Sequence, residues 1–377
     1  MGLGIYVHIP FCIKKCNYCD YVSFPLPNDK RVAEYIMALK KEIRLWAKAA
    51  HGDLVETIYI GGGTPSLLSP RYIQSILRAI KRNFNLVRDT EITIEANPCT
   101  ISGPDVKQLA ELGINRVSLG VQAMDNKLLR EMGRMHDADH VNNAVSVVKK
   151  AGIKNINTDL IYGLPGQTLD QWGETLENII LLGVKHVSAY GLTLEDDTPW
   201  GRKMSQGHLL LPGQDLCGEM YDSIDRALTP YGFEQYEISS FSKPGFQCKH
   251  NLRYWLRKPY IGIGLGAASL YGSCRYVNHW EMYAYLRALN EDRLPSAEKE
   301  ELSLEQEMAE FMFLGLRTSK GVNAADFEKN FGKELGIIYG REINHFKELG
   351  FLVENNENIR LSHRAFAVAN EIFLSFV

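Results

Sequence analysis

Six short apolar runs, at 4–8, 57–60, 91–95, 116–119, 155–160 and 186–190, alternate with amphipathic helical patterns at 30–48, 70–83, 103–112, 138–151 and 169–181. A chain that alternates strand and helix in this way folds as a parallel sheet, each helix carrying the chain back through a right-handed crossover. Six such units exceed a mononucleotide-binding half and fall short of a closed eight-stranded barrel. A partial (β/α)6 barrel in the α/β class fits the count. Several runs end in polar or glycine-rich turns, at 61–66, 95–98, 120–122 and 159–166. Folds of this kind assemble their chemistry at the carboxyl ends of the strands, so the active face is expected there.

After residue 190 the pattern changes. A loop at 195–213 with Asp-Asp-Thr-Pro and Leu-Pro-Gly turns leads to a predicted helix at 215–228 and a strand at 233–238. A polar, aromatic segment follows at 239–260, then a glycine-rich strand at 261–268. From about residue 302 the chain reads as three helices, two short strands (350–353 and 358–361) around the turn 354–357, and a last helix. That order resembles a winged helix. The expected division is a barrel over 1–235, a connecting segment over 236–300 and a small α+β module over 301–377.

The first run ends in HIPFCIKKCNYCDY, which places Cys12, Cys16 and Cys19 in a C-x3-C-x2-C spacing just past a strand. Three thiolates on one short loop can hold three irons of a cubic iron–sulfur cluster, leaving the fourth iron open to a small chelating ligand. A zinc site is the competing reading. It needs a fourth protein ligand, for which His8 is the nearest candidate, although it lies within the preceding strand. A disulfide leaves one thiol over and requires an oxidising compartment. The N-terminus reads as a strand, without a basic stretch and apolar core, so no secretory leader is expected and the cytoplasm is the expected location.

Other candidate residues sit at strand ends. Gly61, Gly62, Gly63 and Thr64 close the second run, where absent side chains let backbone approach a ligand. Glu95 ends the third, Gln122 follows the fourth, Arg134 lies in the next segment and Asp159 ends the fifth. Arg134 suits a carboxylate, while Glu95 and Asp159 suit ammonium or hydroxyl groups. A second unusual segment, Cys248 to Trp255, places His250 near Tyr254 and Trp255. A histidine beside flat aromatic surface can ligate haem iron, though such a histidine is more often simply packed and hydrogen-bonded. Cys248 is a conceivable further thiolate, whereas Cys99, Cys217 and Cys274 read as isolated, buried apolar residues. The chain has 377 residues, 45% hydrophobic, with a formal net charge of −3. No apolar run is long enough for a membrane span, and the dispersed charge gives no case for nucleic acid.

Taken together, YVHIPFC-x3-C-x-Y-C, GGGTPS, E-x-N-P, LGVQ, GR-x-H, D-x-I-Y-G-L-P-G-Q-T and HN-x-x-YW, followed by a helical C-terminal module, resemble one branch of the radical S-adenosylmethionine (SAM) proteins. That branch contains the oxygen-independent coproporphyrinogen III oxidases and their paralogues, the HemW haem chaperones. The resemblance implies a 4Fe–4S cluster on Cys12, Cys16 and Cys19. It implies a SAM site lined by Tyr6, Tyr18, Gly62, Gly63, Thr64, Glu95, Gln122, Arg134 and Asp159, and haem binding through His250. The oxidases carry a further cysteine two residues after the triad, where this chain has Tyr21, and a longer segment ahead of the first strand. Both departures favour the chaperone branch. The implied function is haem binding and transfer to acceptor proteins, with haem or a porphyrinogen, an acceptor protein and a second copy of the chain as partners. The alternatives are decarboxylation of coproporphyrinogen III to protoporphyrinogen IX and radical chemistry on another substrate. No residue is assigned a catalytic role.

Overall fold

The computed structural model describes residues 2–355 and 358–377. Strands β1 (Gly2–Ile9), β2 (Leu54–Gly62), β3 (Asn85–Ala96), β4 (Arg116–Gln122), β5 (Asn155–Tyr162) and β6 (His186–Gly191) pair in sequence order, every pair parallel. Helices α1 (Asp29–Ala49), α2 (Pro70–Asn83), α3 (Gly103–Glu111), α4 (Ala138–Lys150), α5 (Leu169–Leu181) and α6 (Gln214–Leu228) follow the strands in turn. Local signals set their starts. Asn28 caps α1, and Asp137 and Thr168 open α4 and α5 with reciprocal capping boxes.

The strands alternate with period two. One face carries Leu3, Ile5, Val7, Ile58, Ile60, Ile92, Ile94, Val117, Leu119, Ile156, Leu160 and Val187, all buried in the main hydrophobic core. Each side chain of this size contributes roughly 2 kcal/mol on leaving water. The opposite face is polar and nearly as deeply buried: Thr57, Glu91, Thr93, Arg116, Ser118, Asn157, His186 and Ser188. Side chains from the carboxyl ends of β2 to β6 line one common cavity, so the sheet curls around its polar face.

The sheet extends further than six strands. Strand β7 (Glu234–Glu237) and β8 (Ser240–Ser242) continue it antiparallel beyond β6. Helix α7 (Lys249–Trp255) precedes β9 (Tyr260–Ile263), which pairs parallel with β1 and adds a seventh parallel strand. Then β10 (Ala268–Tyr271), β11 (Cys274–Asn278), helix α8 (Met282–Asn290) and β12 (Ser296–Glu301) complete an order of β12-β11-β10-β9-β1-β2-β3-β4-β5-β6-β8-β7. The single glycine-rich strand expected at 261–268 is therefore two strands. They part at Gly264, whose φ of 108° and approach to the His8 carbonyl (2.7 Å from an added Cβ) exclude any other residue. The segment expected to be a connector, 236–300, is part of the main sheet.

The C-terminal residues form a second core. Helices α9 (Leu304–Gly315), α10 (Ala324–Phe331) and α11 (Leu335–Glu348) and a small sheet of β13 (Val322–Asn323), β14 (Leu352–Asn355) and β15 (Asn358–Leu361) pack around Met312, Leu316, Phe327 and Ile372. The expected turn 354–357 includes Asn356 and Glu357, which lie outside the described residues. Arg257 fastens this unit to the barrel through Glu307 (3.0 Å) and Glu310 (2.8 Å), and Arg275 adds a second contact to Glu310. Among the described residues, no helix is long and apolar enough to cross a membrane.

Candidate functional site

A cavity of about 590 Å³ opens at the carboxyl ends of the strands. Cys12, Cys16 and Cys19 form part of its wall, with Tyr18, Gly62, Gly63, Thr64, Glu95, Gln122, Arg134 and Asp159. The expected residues thus come together around one space, except two. Tyr6 does not line the cavity; its ring stacks on Tyr59, with centroids 6.2 Å apart. His250 lies elsewhere, as described below.

The cysteine loop is held from both sides. The glycine turn pins its base: Gly63 N donates to the Ile9 carbonyl (2.9 Å), Thr64 N to the Phe11 carbonyl (2.8 Å), and Thr64 Oγ1 lies 3.6 Å from Cys12 Sγ. A Cβ on Gly63 would stand 2.6 Å from the Phe11 carbonyl oxygen and 3.0 Å from Cys12 Sγ, so only glycine permits this approach. From the other side, Asn17 N donates to the Met132 carbonyl (3.0 Å), and Asn17 Nδ2 to that of Glu131 (2.7 Å). His8 anchors the return of the loop, with Nε2 2.8 Å from the Val22 carbonyl and Nδ1 3.0 Å from the Tyr6 hydroxyl. Both its ring nitrogens are engaged, which removes it as the fourth ligand that the zinc reading needs. Burial pushes the Cys19 thiol up.

Arg134 bridges the loop and the strand ends. Its Nη1 lies 3.5 Å from Cys16 Sγ and its Nη2 donates to the Gly120 carbonyl (2.5 Å), while its Nε is buried without a hydrogen-bond partner among the described residues. Gln122 ends β4 in the left-handed region, φ 70°, beside a register shift in the β4–β5 pairing. Such strain in a non-glycine residue is typical of ligand sites.

The cavity's two carboxyl groups are set differently. Glu95 Oε1 accepts from the Tyr59 hydroxyl (2.8 Å) and Oε2 from Gly62 N (3.0 Å). Asp159 accepts from Ser118 Oγ and Asn157 Nδ2, both at 2.8 Å. Burial, then the nearby Asp159 charge, pushes Glu95 up to about 7, and burial also raises Asp159. Two desolvated carboxyls facing one space favour a cationic guest, and the Arg134 guanidinium on the same wall favours an anionic one. A ligand bearing an ammonium or sulfonium and a carboxylate meets both demands, and three thiols on the wall supply ligands for three cluster irons. The residues therefore fit a 4Fe–4S cluster with SAM.

His250 is buried at the amino-terminal end of the strands, where α7 closes the polar interior of the barrel. Its Nδ1 lies 2.8 Å from Thr57 Oγ1 and its Nε2 2.8 Å from the Tyr254 hydroxyl. Burial, helped by Arg253 and Arg116, holds it down to about 3, so the ring is neutral. Both ring nitrogens are therefore engaged, and the ring is packed and hydrogen-bonded. Cys248 is likewise a buried thiol, pushed up to about 12 by burial, and donates towards Glu91 (3.8 Å). Cys99 is not a buried apolar residue but half-buried in the cavity wall, and Cys217 and Cys274 are also half-buried.

Sequence reasoning missed Tyr59, Ser118 and Tyr190, although each touches or lines the cavity. The available signal was the polar residue at every second position of an otherwise apolar strand.

Residues 6–179 match the radical SAM superfamily, and 302–368 match the HemN C-terminal domain. The haem chaperone HemW of Lactococcus lactis is 37% identical over 372 residues, covering 99% of this chain and 96% of that protein. HemW of Bacillus subtilis is 36% identical, covering 99% and 98%. The coproporphyrinogen III oxidase HemN of Escherichia coli, a radical SAM enzyme, shares the fold with a TM-score of 0.87 at 22% identity, covering 99% of this chain and 89% of that one. The cysteine loop, the curled parallel sheet, the C-terminal unit and this end-to-end likeness together place the chain in the HemW family of radical SAM proteins.

Proposed function

We propose that the protein is a haem chaperone, binding haem and passing it to acceptor proteins, with a 4Fe–4S cluster and SAM in the cavity. The likeness to proteins named haem chaperone HemW along almost the whole chain carries this reading. Tyr21 supports it, since it stands on the cavity wall, two-thirds exposed, where the related oxidases are expected to carry another cysteine.

Cys12, Cys16 and Cys19 would hold the cluster. Arg134 would pair with the carboxylate of SAM, and Glu95 and Asp159 would accept from its donors. When bound, cluster and SAM supply one-electron chemistry. The chain's own part is to orient the ligand, to exclude water beneath it and to keep the two carboxyls ready for positive charge. Around the opening, Ile13, Tyr21, Met135 and Tyr190 remain substantially exposed. An exposed apolar rim of this kind suits a flat apolar ligand such as haem. Ligation by His250 would require Tyr254 to release Nε2. The acceptor protein and a homodimer are the proposed partners, and the cytoplasm the proposed location.

Titration of the cluster-loaded protein with haem, followed at the Soret band, tests this reading. Saturable binding that Tyr21→Ala or His250→Ala weakens supports it. A wild-type protein without saturable binding contradicts it.

A further inference from the structure

His250 sits at the opposite end of the barrel from the cavity mouth, yet it is joined to the cavity by a short, continuous set of contacts. Its ring stacks on Tyr59, with centroids 5.2 Å apart and planes inclined by 29°. The Tyr59 ring is also stacked on Tyr6, at 6.2 Å and 29°. Tyr59 is thus clamped between a ring from β1 and a ring from α7, and its hydroxyl is aimed at Glu95 Oε1, 2.8 Å away. One oxygen of the Glu95 carboxyl is set by the backbone of Gly62, and the other by this clamped hydroxyl.

The clamp is itself fixed. His250 is held by Thr57 and Tyr254, each at 2.8 Å, and its backbone N donates to Glu91 Oε1 at 3.0 Å. On the other side, Tyr6 is held through its hydroxyl by His8 at 3.0 Å. Van der Waals contact falls off steeply once a neighbour is withdrawn, so a missing imidazole frees the Tyr59 ring to tilt towards α7 and carries its hydroxyl off Glu95. Full use of the Tyr59 hydrogen bond depends on the imidazole behind the ring.

We propose that His250 is a positioning residue for Glu95, acting through Tyr59. This rests on the reading of the cavity as the SAM site and assigns a second duty to the HN-x-x-YW helix: it is the floor on which the SAM-binding wall is braced. The role belongs to the ring face of His250. Its nitrogens, bonded to Thr57 and Tyr254, hold that face in place.

The test is equilibrium dialysis of labelled SAM against the full chain with its cluster reconstituted anaerobically. Tyr59→Phe, which removes the hydroxyl and keeps the ring, is expected to weaken SAM about tenfold, the cost of one hydrogen bond to a charged group. His250→Ala is expected to weaken it by about fivefold. In the double variant the loss should equal that of Tyr59→Phe alone, because the histidine acts only through that hydroxyl. His250→Phe, which restores a flat ring, should return the affinity to within about twofold of wild type. A merely structural histidine would lower the unfolding midpoint without this rescue or this non-additivity. Unchanged affinity in His250→Ala, multiplying losses in the double variant, or a phenylalanine variant as weak as alanine would each overturn the proposal. Should the alanine variant misfold, Thr57→Val replaces it: a two- to threefold loss supports the bracing, and none overturns it. A wild-type protein that binds no SAM overturns the cavity reading as well, which separates the two failures.

Discussion

Arg134 spans the gap between the cysteine loop and the strand ends, with Nη1 3.5 Å from Cys16 Sγ and Nη2 on the carbonyl of Gly120. Two nitrogens of one planar group fix its orientation on the cavity wall. A lysine cannot reproduce this fork. Arg134→Lys is therefore expected to keep its iron but to bind SAM at least about tenfold more weakly. Iron content and SAM dialysis on the same preparation check both halves.

Gly63 gives a sharper test of the loop itself. An added methyl would meet the Phe11 carbonyl and Cys12 Sγ, both on the short segment that presents the first thiol. Gly63→Ala should fold, because the clash is confined to one turn, yet lose most of its cluster. Circular dichroism near wild type together with a severalfold drop in iron per chain is the expected result.

The raised Glu95 carboxyl makes SAM binding pH-dependent. Its ordinary value is 4.5 and its value in the folded chain is about 7. A cation prefers the ionised form, so SAM affinity should rise from pH 6 to pH 8, by at most about tenfold per pH unit below 7. The linkage to folding has the opposite sense. The ligand-free protein keeps a proton that the unfolded chain has lost, so Glu95's contribution to stability is complete below about 4.5 and is lost as pH rises through about 7. Glu95→Gln should flatten both profiles, as isothermal titration and thermal melts across this range would record.

Glu310 holds the C-terminal unit by pairing with both Arg257 and Arg275 while itself only 5% exposed. Removing it leaves Arg257 half-compensated by Glu307. Glu310→Ala should cost about 2 kcal/mol and speed proteolysis near residue 302. Urea unfolding and limited trypsin digestion test this, and an unchanged midpoint would show that the two units are held by their apolar contacts instead.

The barrel was legible because its outer face obeys simple rules: Ile58 and Ile60, Ile92 and Ile94, and Val117 and Leu119 recur at period two beneath amphipathic helices. Glu95, Gln122, Arg134 and Asp159 were legible because polar residues just past apolar strands lie where barrels open. Tyr59 was not, because a tyrosine between two isoleucines looks like core. Its place depends on Glu95 and His250, both far from it in sequence. The seventh parallel strand was equally hidden, since the pairing of Tyr260 with Gly4 is a long-range choice that no local pattern encodes. His250 was recognised as unusual, but the sequence does not reveal that Thr57 and Tyr254 occupy both its nitrogens.

Haem and porphyrinogen, offered separately to one preparation, distinguish a chaperone from an oxidase. Anaerobic, cluster-loaded protein is given SAM and reductant, then either haem followed by an apo-haemoprotein or coproporphyrinogen III. A haem chaperone should bind haem saturably, pass it to the apo-haemoprotein and release no carbon dioxide from the porphyrinogen. Multiple decarboxylations per chain, with no haem retained, would contradict that role.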